Sequence, residues 1–65
     1  MVRVFVNVDG TEHSTEISPK THTFLRDGAH LRRRSIQFYL YRVVKDYGSL
    51  TEENIIKFMD EKWSL

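Results

Sequence analysis

Apolar and polar positions change period along this chain, and each change marks an element. Val2, Val4, Val6 and Val8 alternate with Arg3, Phe5 and Asn7. Period two with β-branched residues predicts a half-buried strand. Asp9-Gly10 follows, a dipeptide suited to a two-residue hairpin loop because both positions need φ > 0. That loop fixes a register: Val8 opposite Thr11, Val6 opposite His13, Val4 opposite Thr15 and Val2 opposite Ile17. On the other face Phe5 meets Ser14 and Arg3 meets Glu16, a cross-strand charge match that supports the pairing. The second strand, TEHSTEIS, is far more polar and reads as an edge. Pro19, with no N–H for a ladder bond, ends the hairpin.

From Leu31 to Tyr47, LRRRSIQFYLYRVVKDY, the period becomes helical. At roughly 100° per residue, Ile36, Tyr39, Leu40, Val43, Val44 and Tyr47 share one side. Leu31, Arg34, Phe38, Tyr41 and Lys45 share the other, so the back of this helix is aromatic and basic where an ordinary surface helix is simply polar. It lies under the chain's own hairpin or meets a partner. Gly48 after Lys45 predicts a C-cap. Thr51 then caps a second helix, with Glu52 and Glu53 in the dipole-favoured first turn and Leu50 and Ile55 at hydrophobic-staple positions. Its apolar stripe is Ile55, Ile56, Phe58, Met59 and Trp63.

Residues 20–30 admit two readings. THTFLR is a short third strand, or it opens the long helix with Thr23 as a cap. Gly28 argues for a break before that helix, with Asp27 as its N-cap. The expectation is one small ββαα domain over residues 1–65, of the α+β class: an antiparallel N-terminal hairpin, with or without a third strand, packed on a C-terminal two-helix hairpin. A two-stranded hairpin is marginal alone and needs such packing.

Composition narrows the chemistry. Sixty-five residues build a small core, and chains this short lean on a staple. There is no cysteine, hence no disulfide and no thiolate zinc site. Its absence fits a reducing cytosol, and the expected location is cytoplasmic. Self-association is the remaining common staple, so a homodimer is expected. The chain has no apolar run of about 18 residues, and MVRVFVNVDG is too short and too alternating for a signal peptide. Neither membrane insertion nor export is expected.

Candidate catalytic groups do not assemble. His13, His22 and His30 lack the i, i+4 spacing of a helical metal clamp, and no metal or other cofactor is expected. The serines sit in no nucleophile elbow. Gly10, Gly28 and Gly48 are accounted for by turns and element ends. Neighbouring carboxylates such as Glu52-Glu53 diverge by about 100° on a helix. A non-enzyme is expected.

Charge sharpens the remaining candidate. Net charge is only +1, yet residues 29–48 carry five basic and one acidic group while both flanking segments are mildly acidic. Arg32, Arg33 and Arg34 stand out because cations at the predicted helix start would oppose its dipole. With Phe38, Tyr41, Arg42 and Lys45 they form the candidate binding residues, since arginine grips carboxylates and phosphates bidentately. Arginine beside aromatic residues is also the composition of interface hot spots. The expected function is a small protein-binding module acting through this helix, the strand-one edge, or both. Compact chains of this kind often regulate or inhibit larger complexes, including those of phages. Nucleic-acid binding through Arg32–Lys45 is the competing reading; the near-neutral total charge weighs against it.

Overall fold

A computed structural model describes residues 1–63 of the chain. The order is β1 (Val2–Val8), β2 (Thr11–Ile17), α1 (Pro19–Leu31), α2 (Ile36–Tyr47) and α3 (Glu52–Lys62). The fold is α+β, an antiparallel hairpin packed on helices.

The hairpin follows its loop chemistry. Asp9 and Gly10 take φ of 54° and 89°, as a tight turn of this hand requires. The Gly10 N–H donates to Asn7 Oδ1 at 3.0 Å. The register is the one the loop dictates, Val2 opposite Ile17 through Val8 opposite Thr11, and Arg3 reaches Glu16 at 3.3 Å. Val4, Val6 and Val8 turn inward and are buried, while Arg3, Phe5 and Asn7 face out.

Residues 20–30 are helical, which corrects both readings of that stretch. Ser18 is the N-cap of α1 and its Oγ accepts from the Thr21 N–H at 3.2 Å. Pro19 both ends the hairpin and opens α1, where its missing N–H costs nothing. Thr23 caps nothing. Thr21, Leu25, Gly28 and Ala29 form the buried face of α1, so Gly28 is no break and Asp27 no N-cap; both lie inside the helix. Among the described residues the domain thus carries three helices where two were expected.

The helix expected over Leu31–Tyr47 starts later, at Ile36: Leu31 is the last residue of α1, and residues 32–35 form a corner between α1 and α2. α1 ends at Leu31, and Arg34 N–H donates to the Ala29 carbonyl at 2.9 Å and Arg33 N–H to that of His30 at 3.0 Å. This paired closure, with a left-handed residue at its apex, is the Schellman arrangement. The apex here is Arg33, at φ 59°. Ser35 then starts α2, its Oγ accepting from the Phe38 N–H at 3.1 Å.

α2 packs against β1 and α3 through the face read from its periodicity: Tyr39, Leu40, Val43 and Val44 are buried, with Ile36 and Tyr47 partly so. Phe38 and Tyr41 lie outside this face, 36% and 38% exposed, so the hairpin does not cover them. Gly48, at φ 89°, closes α2 through its N–H to the Val44 carbonyl. Thr51 caps α3, and Leu50 and Ile55, at the staple positions on either side of the cap, are both buried. Ile56, counted in the stripe of α3, is instead on its solvent side. Its neighbours Ile55, Phe58 and Met59 define the buried direction, and Ile56 lies about 100° away from Ile55.

Two side chains fasten the helices together. Glu52, in the first turn of α3, accepts from the Ser18 N–H at 3.1 Å and from Thr21 Oγ1 at 2.7 Å. The Tyr47 hydroxyl at the end of α2 donates to Glu61 of α3. No described helix is long and apolar enough to cross a membrane.

Candidate interaction surface

The α1–α2 corner collects the arginines, though not at a helix start. Arg32, Arg33 and Arg34 follow the C-terminus of α1, where the dipole favours cations. The electrostatic conflict inferred from the sequence is eased for Arg32, the C-cap of α1, but Arg34 still directly precedes Ser35, the N-cap of α2. Their bearing on function depends on what surrounds them.

Arg32 is drawn inward. Its Nη1 donates to the Gly28 carbonyl at 3.0 Å, and its guanidinium carbon sits 4.3 Å from the centre of the Trp63 ring. Trp63 reaches this spot from the end of α3 because Gly28 offers no side chain: a Cβ there would lie against the ring. Trp63 also meets Phe24 edge-on at 6.5 Å and Tyr39 at 4.9 Å. The result is an open groove of about 340 Å³ lined by Phe24, Asp27, Gly28, Leu31, Arg32 and Trp63. Phe24 is 59% exposed and Leu31 77%, two large apolar side chains on one face of α1, two turns apart, left open to solvent.

Arg34 stacks over Phe38 at 4.6 Å, and Phe38 is edge-on to Tyr39 at 5.0 Å. Aromatic contacts thus run from Phe24 through Trp63 and Tyr39 to Phe38, with Arg32 over Trp63 and Arg34 over Phe38. Arg33 is exposed at the apex. Among the described residues no carboxylate lies within ion-pair distance of Arg32, Arg33, Arg34 or Arg42.

The remaining candidates are less free. Arg42 leans over Phe58 at 5.5 Å. Lys45 pairs with Asp9 of the hairpin turn at 3.2 Å. That hydrogen bond, together with the charge of Asp9, holds Lys45 above its ordinary value of 10.5. Lys45 therefore ties α2 to the hairpin, 5.9 Å from the Tyr41 ring. The structure joins Arg32 and Arg34 to an aromatic surface, sets Arg33 between them, and leaves Arg42 and Lys45 to one side.

Phe24 and Trp63 were not among the residues singled out from the sequence. Phe24 fell in the unread stretch, and Trp63 was counted as core. The available clue was Gly28, which at helical spacing marks a close approach as readily as a break.

Among the described residues the groove is lined by no serine, histidine or cysteine, and the one carboxylate lining it, Asp27, pairs with Arg26 at 3.4 Å. Among the described residues no three metal-ligating side chains converge. Compared with known proteins, the chain matches no protein-family model, no curated protein sequence and no solved structure.

Proposed function

We propose that this chain is a non-catalytic interaction module that binds a protein segment carrying an apolar side chain beside a carboxylate. The apolar group enters the Phe24–Leu31–Trp63 groove, and the carboxylate meets the arginines at its rim. The observation that carries this reading is exposed Phe24 and Leu31 beside Arg32 and Arg33. Aromatic anchors with arginine are enriched where interfaces concentrate their binding energy, and bidentate arginine–carboxylate pairing supplies orientation. The apolar lining of the groove, Phe24, Leu31 and Trp63, supports a binding role. Regulation or inhibition of a larger complex is the biological use that suits so small a module.

The test compares wild type with Leu31→Asp combined with Arg33→Glu, two positions outside the core. Circular dichroism establishes that the variant keeps its fold. A protein captured from lysate by wild type and lost by the variant supports the reading. Equal capture by both overturns it. Binding to DNA or RNA oligonucleotides that weakens steeply with salt would assign the same arginines to a nucleic acid instead.

A further inference from the structure

We infer that β1 is the dimerisation edge of this protein, pairing antiparallel with β1 of a second copy across a two-fold axis at Phe5. The inference is independent of what the α1–α2 corner binds.

The hairpin register determines which backbone groups are free. In a two-residue loop the residue before it accepts from the residue after it, so Val8 and Thr11 form a hydrogen-bonded pair. Antiparallel pairs alternate, so Val6, Val4 and Val2 likewise direct their N–H and C=O groups to β2. The N–H and C=O groups of Arg3, Phe5 and Asn7 therefore point away from it. Among the described residues the sheet has two strands, and no backbone hydrogen bond from a loop, cap or helix reaches the N–H or C=O groups of those three.

This edge carries little of the usual protection. Strand edges are normally blunted by charged side chains, lysine above all, by proline, a bulge or an inward-facing charge. β1 has no lysine, proline or inward-facing charge, and it pairs without interruption over all seven residues. Arg3, its one charged residue, leans across β2 to Ser14 and Glu16. Phe5 stands 53% exposed at the strand centre.

Self-pairing about Phe5 satisfies every free group at once. Phe5 faces Phe5 of the second copy, and Arg3 faces its Asn7, each as a hydrogen-bonded pair. On the inner face valines meet valines. Aromatic cross-strand pairs stabilise sheets, and no like charges oppose one another. The edge of β2 behaves oppositely. A two-fold axis at its central Ser14 would set Glu12 against Glu16 of the second copy, twice. Charge thus selects β1 over β2, and the product is a continuous four-stranded antiparallel sheet, a size at which strands become independently stable.

Sedimentation equilibrium on the full chain tests this. Wild type should approach twice its 7.8 kDa mass as concentration rises. Phe5→Glu and Phe5→Lys place like charges on the axis and should each sediment as monomers with unchanged circular dichroism. Mixing the two variants should restore the dimer, because only a residue on the two-fold axis meets its own counterpart. Wild type that stays monomeric to millimolar concentration overturns the inference. So does a dimer indifferent to both substitutions, or two variants that remain monomeric when mixed.

Discussion

Trp63 occupies the space that a side chain at position 28 would need. A Cβ on Gly28 would come within 2.7 Å of Cε3 of the indole. The contact docks the end of α3 on α1 and shapes the groove. Gly28→Ala should gain helix propensity, worth about 1 kcal/mol in an open helix. The forced displacement of the ring outweighs it, for a net loss of about 1–3 kcal/mol typical of overpacking. Trp63 is the sole tryptophan, so its fluorescence should shift to the red as the ring moves into water. An unshifted spectrum with unchanged stability would contradict the contact.

Arg33 gives a prediction of opposite sign. It holds a left-handed conformation, φ 59°, that costs an L-residue about 1–2 kcal/mol. Arg33→Gly removes that strain and gives back part of it through the freer unfolded chain, for a net gain of roughly 0.5–1 kcal/mol. Denaturant unfolding reads the gain as a raised midpoint at constant slope. The same variant should capture its partner less well, separating a binding role from a structural one.

Acid exposes the Glu52 contact. The Ser18 N–H, with the Thr21 hydroxyl, holds the Glu52 carboxyl below its ordinary value of 4.5. A group whose value is lowered by folding adds stability that is fully present above the unfolded value. That stability is lost as pH falls through the folded one. Thermal melts of wild type and Glu52→Gln should therefore differ most above 4.5 and converge in stronger acid. A constant gap at all pH values would place the effect of the substitution elsewhere.

Alkali tests the other fastening. Donation to Glu61, aided by burial, pushes the Tyr47 hydroxyl from 10.0 up to about 12. Because folding raises this value, the contribution is complete below 10.0 and vanishes as pH climbs through about 12. Glu61→Gln should bring the late tyrosine step in an ultraviolet titration down toward its ordinary position.

The hairpin was legible residue by residue because local chemistry decides it: Asp9-Gly10 sets the turn, and alternating valines set the face. The inner face of α2 and the cap of α3 were legible for the same reason. α1 was obscured because PKTHTFLRDG is rich in strand-favouring threonine and carries a glycine whose purpose, seating Trp63, lies 35 positions away in the chain. The corner was hidden because its left-handed apex is arginine rather than glycine, so the basic run blended into the helical period. Ser35, an N-cap three residues before Phe38, was its one local sign. The groove joins α1 to the end of α3, and no periodicity within either element announces such a meeting.

The Glu52 contact has a kinetic meaning as well. It joins Ser18 to a residue 34 positions later, whereas the hairpin closes through its immediate neighbours. Contacts across long loops bear a larger closure entropy and tend to form after local ones. Glu52 would then act after the folding barrier, as a latch on the finished molecule. Its loss should leave the refolding arm of a chevron nearly unmoved and raise the unfolding arm at unchanged slope. A slowed refolding arm would instead put the latch inside the nucleus. On this view the lifetime of the native state, more than the speed of reaching it, is held by one carboxylate.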